Sequence, residues 1–124
     1  MIDFKNGSLF KLKKSGTTLH ASSIQPLMVP GEEIISGYTA LRDFIIFTNK
    51  RIIAVNVQGM TGKKKDFTTL PYSKIQAFSV ETAGVLDMDS ELEIYFSGLG
   101  MVKFEFSGAS DIAEIGRIIS EKIL

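Results

Sequence analysis

Residues 41–75 read LRDFIIFTNKRIIAVNVQGMTGKKKDFTTLPYSKI. Three strand-like runs in this stretch are separated by short polar segments. Residues 44–48 (FIIFT) are apolar at successive positions, which predicts a central strand buried on both faces. Residues 52–57 (IIAVNV) are rich in β-branched side chains, which suit a pleated backbone. Residues 66–70 (DFTTL) form a third run. Pro71 ends it, because proline cannot donate to a strand ladder. Arg42-Asp43, Asn49-Lys50 and Gly59-Met60-Thr61-Gly62 are the turns; Asn and Gly accept left-handed backbone angles.

The same texture extends to either side. Residues 32–40 (EEIISGYTA) predict a first strand, with Gly37 marking a bulge or a close backbone approach. Residues 74–81 (KIQAFSVE) predict a fifth. Ile75 and Ala77 fall on one face and Phe78 and Val80 on the other, so a bulge near Ala77 is expected. Residues 91–96 (ELEIYF) and 101–106 (MVKFEF) alternate with period two and predict a half-buried hairpin. Facing residues share a face, so inward Ile94 pairs only with an even-numbered partner. A three-residue loop over 97–99 sets Ile94 opposite Val102 and Glu93 opposite Lys103. Gly98 or Gly100 supplies the positive φ such loops need. The opposite charges contribute about 0.2–1 kcal/mol.

Asp111 and Glu114 then sit as a capping box ahead of a helix. Ile112, Ile115, Ile119 and Ile123, with Ile118 beside them, make one apolar stripe. The order is seven strands and one amphipathic helix. This predicts a mainly β fold: a seven-stranded antiparallel barrel or sandwich capped by the helix.

Residues 1–30 are read as an N-terminal arm and residues 31–124 as the domain. Gly7, Gly16, Pro26 and Pro30 break up the arm. Residues 8–14 are expected to form a short helical turn with Leu9, Phe10 and Leu12 inward. Ser22 or Ser23 is expected to cap another short helix through Leu27 and Met28.

The chain has 124 residues, 14 basic and 14 acidic, so no net field draws in nucleic acid. The signs are segregated, however. Lys63, Lys64 and Lys65 are contiguous, and every charge from Glu81 to Glu93 is acidic. This asymmetry suits head-to-tail contact between copies. There is no cysteine, which removes disulfides, thiolate metal sites and cysteine nucleophiles. No apolar run suits a signal peptide or a membrane span. A cytoplasmic setting is expected.

Residues 42–84 resemble the bacterial pleckstrin-homology (PH) domain family, long catalogued as a domain of unknown function. The resemblance rests on the Arg42-Asp43 pair, FTNKR at 47–51, QGMTGKK at 58–64, PYSKI at 71–75 and VETAG at 80–84. It extends over roughly residues 30–123. It implies a PH-like fold, a bacterial source and ring-shaped homo-oligomers, and no established ligand. Phosphoinositide-binding PH domains carry a basic pattern between their first two strands. Here that turn is only Leu41-Arg42-Asp43, and the lysines lie in the third loop.

Other chemistries fail on spacing. Gly59 precedes Gly62 by three positions rather than five, and Lys64 stands where a phosphate loop needs Ser or Thr. Gly59-Met60-Thr61-Gly62 matches a KH-type GxxG, but the residues before it read as strand rather than helix. Asp87, Asp89 and Glu91 alternate like calcium ligands. Counting from Asp87, however, Leu92 takes the EF-hand glycine position and Gly98 the glutamate position. His20 is the only histidine; with Thr17, Thr18 and Ser22 it makes no triad, and it is expected to face solvent. No catalytic residue, metal site or cofactor is assigned.

The leading function is a non-enzymatic, self-assembling interaction module. Edges of the strands over 32–40 and 74–81 would meet neighbours. Arg42, Asp43, Lys63, Lys64, Lys65, Asp87, Asp89 and Glu91 are the candidate ligand or interface residues. Another protein is a further candidate partner, and nucleic acid is not. The alternative is weak peripheral binding of anionic lipid, or another anionic ligand, through Lys63, Lys64 and Lys65. A small-molecule carrier using the barrel interior is a third reading.

Overall fold

The computed structural model describes residues 1–4, 9–108 and 111–124. The described residues form eight strands: β1 (Leu9–Lys14), β2 (Ile34–Ala40), β3 (Asp43–Thr48), β4 (Arg51–Gln58), β5 (Lys64–Pro71), β6 (Ile75–Glu81), β7 (Ser90–Phe96) and β8 (Gly100–Phe106). They form one sheet in the order β5-β4-β3-β2-β1-β8-β7-β6, which does not close. Short α1 (Ala21–Ile24) and a 3-10 turn (Gln25–Leu27) precede β2, and α2 (Ile112–Ile123) ends the chain. The seven expected strands and the terminal helix are all there.

The eighth strand is the correction. Residues 9–14 are not a helical turn but β1, antiparallel to β2 and parallel to β8. The misreading has a physical cause. Leu9 and Leu12 are three apart, a helical spacing, yet they register against Phe104 and Phe106, which are two apart. An extra residue is accommodated where Lys11 adopts φ 58°, so a bulge imitates the helical period. Leu12 is buried; Ser8 and the side chains of Leu9 and Phe10 lie outside the described residues.

Because β1 fills the gap between β2 and β8, β2 is paired on both sides. The expectation that the strand over 32–40 offers a free edge is therefore overturned. The sheet's edges are β5 and β6.

The main core joins inward residues of all eight strands with α2, including Tyr38, Phe47, Leu92, Ile94, Phe104 and Phe106. A second cluster explains why β3 and β4 are apolar on both faces. Ile24 of α1 packs with Phe44, Ile46, Ile53 and Val55 on the opposite side of the sheet. The segment before β2 thus covers its own domain. Ser22 and Ser23 do not cap α1; His20 holds that position without a side-chain cap. Gly37 is required by close approach, since a Cβ there would stand 2.6 Å from the Gly16 carbonyl oxygen.

The predicted registers hold. Ile94 pairs with Val102 and Glu93 with Lys103. Gly98 and Gly100 take φ 86° and 91°. The ladder shifts between Ile75 and Ala77, the bulge expected there. Asp111 Oδ1 accepts from the Ala113 and Glu114 N–H groups at 3.1 and 3.2 Å. Ile112, Ile115, Ile118 and Ile119 are buried as α2 packs on β6, β7 and the Tyr72–Lys74 3-10 turn.

Candidate interaction surface

Arg42 and Asp43 do not pair with each other. The Arg42 guanidinium donates to the Gly59 carbonyl, tying the β2–β3 turn to the β4–β5 loop. The Asp43 carboxylate accepts from the Val57 N–H at 2.8 Å and from Asn56 Nδ2 at 3.2 Å. Both residues therefore clamp one end of the sheet. Lys63, Lys64 and Lys65 emerge at that end, all exposed. Among the described residues none of the three forms an ion pair.

Two apolar side chains share this end. Leu41 and Met60 are fully exposed, one at each of the two loops that Arg42 ties together. Leu41 also has φ 51°. A left-handed backbone costs a branched residue roughly 1–2 kcal/mol relative to its ordinary conformations.

His20 is half-buried rather than freely solvent-facing. Its ring stacks on Phe44 with centroids 3.7 Å apart, and a 2.8 Å hydrogen bond joins Nε2 to Thr39 Oγ1. Burial lowers its pKa, and the charge of Lys65 lowers it further.

Asp87, Asp89 and Glu91 each make a separate contact. The Asp87 carboxylate accepts from the Asp89 N–H at 3.0 Å. Asp89 pairs with Lys11. Glu91 pairs with Lys103 at 3.2 Å, the diagonal neighbour of the Glu93–Lys103 rung. The Lys11 contact helps hold the Asp89 carboxyl below the usual range. Glu105 is raised, first by burial and then by its hydrogen bond with Asp89. The carboxylates that do come together are Glu81, Glu91 and Glu93, within 4.8 Å of one another. Glu81 joins because β6 sets it directly opposite Glu91. Only the strand register shows that.

The loop after β6 carries Val85, Leu86 and Met88, all exposed. The sequence shows these as apolar residues, but not that nothing covers them.

A buried network lies away from both surfaces. The Glu32 side chain is fully buried against Arg51, with Nε to Oε2 at 2.9 Å and Nη2 to Oε1 at 3.0 Å. Thr48 Oγ1 and the Val29 N–H also donate to it, at 2.7 and 3.1 Å. Burial alone would raise the Glu32 carboxyl, but these donors outweigh it and hold the pKa at about 2. Arg51 continues to the Leu27 carbonyl and to Thr69 Oγ1. Its role is to pin the segment before β2 onto the sheet. Glu32 falls in the stretch expected to be the first strand, but β2 starts at Ile34, and with 19 positions between Glu32 and Arg51 no local pattern signals the pair.

The fold is an open eight-stranded sheet with a C-terminal helix. The family model for bacterial PH domains matches residues 3–123, and the chain belongs to that family. It is 38% identical over 120 residues to the uncharacterized protein YjqA of Bacillus subtilis, covering 92% of this chain and 96% of that one. Among solved structures it is similar to a protein of the DUF1696 family with a pleckstrin-homology domain from Shewanella loihica. The TM-score is 0.81 at 34% identity, over 93% of this chain and 99% of the other. A pleckstrin homology domain from Shewanella amazonensis gives 0.69 at 33% identity, covering 97% and 95%.

Proposed function

We propose that this chain is a non-enzymatic interaction module of the cytoplasm that assembles with copies of itself. The observation that carries the reading is the pair of unpaired sheet edges. Among the described residues β5, eight residues long, pairs regularly with β4 alone, and β6 pairs only with β7. Such edges present unsatisfied N–H and C=O groups and recruit further strands. Exposed charge on the flanking loops gives the contact its orientation. The resemblance noted in the sequence makes a closed ring the expected assembly, and another protein the next candidate for the same edges. The one histidine is engaged with Phe44 and Thr39, which fits a binding rather than a catalytic role. Light scattering at micromolar concentration tests the proposal: a defined oligomer is expected, and a strict monomer overturns it.

A second reading is favoured by one observation. Arg42, Lys63, Lys64 and Lys65 gather at one end, without carboxylate partners among the described residues. Each lysine near an anionic surface contributes about 1 kcal/mol, enough for weak contact only. Pelleting with vesicles containing phosphatidylserine tests it. Retention that vanishes in a Lys63→Ala, Lys64→Ala, Lys65→Ala variant supports it, and absence of wild-type retention overturns it. Among the described residues no helix is long and apolar enough to cross a membrane.

A further inference from the structure

We infer that the outward face of β6, β7 and β8 is a docking surface for a cationic amphipathic helix of another protein. This goes beyond self-assembly: it uses the face of the sheet and neither of its edges.

The strand registers lay the face out in rungs. Ala77, Tyr95 and Met101 stand opposite one another at one end, and Glu81, Glu91 and Glu105 at the other. Ser79, Glu93 and Lys103 make the rung between them. The inward side of these strands joins the main core with α2. On β3 and β4 the outward side is covered as well, by Ile24. Among the described residues no element covers the outward side of β6, β7 and β8. Ala77 is exposed, and Tyr95 and Met101 keep 43% and 49% of their surface in solvent. Tyrosine and methionine are enriched where proteins meet.

Folding does not account for the acidic rung. Like charges directly opposite one another destabilise a sheet, and here carboxylates occupy three neighbouring strands. Lys103 offsets Glu91 at 3.2 Å, and Lys11 lies against Asp89 and Glu105. Counting Glu93, five carboxylates stand against those two lysines. Glu81 has no ion pair among the described residues. The Glu105 carboxyl is raised, by burial first, and Asp89 and Glu91 add to the rise. The surplus of negative charge, next to an apolar rung, is complementary to a cationic and partly apolar partner.

The geometry selects a helix. An added strand satisfies its backbone at a sheet edge, whereas a segment lying on a sheet face must satisfy its own, as a helix does. The apolar and acidic rungs are four residues apart along each strand, about 13 Å. A helix spans that in about nine residues. The helix that fits sets an aliphatic or aromatic side chain over Tyr95 and Met101, and lysine or arginine about two and a half turns along.

The probe is a synthetic helix of about 18 residues, long enough to hold its form, with leucine along one stripe and lysine beside it. Binding to the full chain is read by titration calorimetry at about 0.15 M salt. Micromolar affinity is expected, and none for the same peptide with glutamate in place of lysine. Tyr95→Thr with Met101→Thr, and separately Glu81→Gln with Glu105→Gln, should each weaken binding about tenfold or more. The glutamine pair should also melt no lower than the wild type, since it relieves the opposed charges. Glu33→Gln with Glu121→Gln makes the same change in net charge at exposed positions elsewhere and should bind as the wild type does. A wild type that does not bind the lysine peptide overturns the inference. So does equal weakening by the Glu33, Glu121 pair, which would make the attraction a matter of net charge. A glutamine pair that melts well below the wild type overturns it too, by making the acidic rung structural. If Tyr95→Thr with Met101→Thr binds the peptide unchanged but no longer assembles, the face belongs to a second copy and the inference fails.

Discussion

Replacing Arg51 with methionine removes one partner of a buried ion pair and keeps much of its volume. Glu32 then keeps Thr48 and the Val29 N–H but loses both guanidinium bonds, at 2.9 and 3.0 Å. Breaking a buried pair from one side costs about 3–5 kcal/mol, because the remaining charge is uncompensated. Domains of this size are stable by only about 5–15 kcal/mol, so the urea midpoint at pH 7 should fall sharply. The pH dependence is more diagnostic. Folding lowers the Glu32 pKa from 4.5 to about 2. Its contribution is therefore complete above pH 4.5 and is lost as pH falls toward 2. Between pH 4.5 and 3 the wild type gives up about 1.5 pKa units of linkage, about 2 kcal/mol. In the Arg51→Met protein Glu32 takes up its proton without penalty, so the gap from wild type should be about 2 kcal/mol narrower at pH 3 than at pH 7. A cost under about 1 kcal/mol at pH 7, or a gap that does not change with pH, would refute the reasoning.

Four further outcomes are expected. Ile24→Ala should cost about 2–5 kcal/mol in chemical denaturation, and amide exchange should rise first in the segment over 15–31, since Ile24 anchors the second cluster. The pKa of His20 is lowered in the folded chain, so its contribution is present above 6.5 and is lost as pH falls through the folded value. His20→Gln should flatten the stability profile between pH 7 and 5, and Lys65→Ala should move the His20 imidazole titration upward by NMR. Asp111→Ala should remove the two N–H bonds at the start of α2 and cost about 1 kcal/mol in thermal unfolding.

Much of the architecture is a local property and was legible in the chain. Period-two alternation fixed the β7–β8 register through parity, because a slip by one residue would turn Leu92, Ile94 and Phe96 to solvent. The runs FIIFT and IIAVNV announced burial on both faces, and Asp111 announced the start of α2. The candidate site was legible only as a list of charges. Arg42 and Asp43 stand together in sequence but clamp different partners. Asp87, Asp89 and Glu91 alternate, yet each finds a separate contact.

The sequence by itself determined seven strands, their turns and the terminal helix, since propensity, alternation and capping act over a few residues. Tertiary structure decided the rest. LFKLKK became strand β1 because β2 and β8 offered it ladders on both sides, and the bulge at Lys11 let two leucines three apart meet phenylalanines two apart. That insertion moved the open edge away from β2 and left β5 and β6 exposed. It also decided that the segment around Ile24 packs on its own sheet, and that Leu41, Met60, Val85 and Leu86 remain outside it. These outcomes depend on which distant surfaces meet, and the energy of such meetings is not written in any short stretch of the chain.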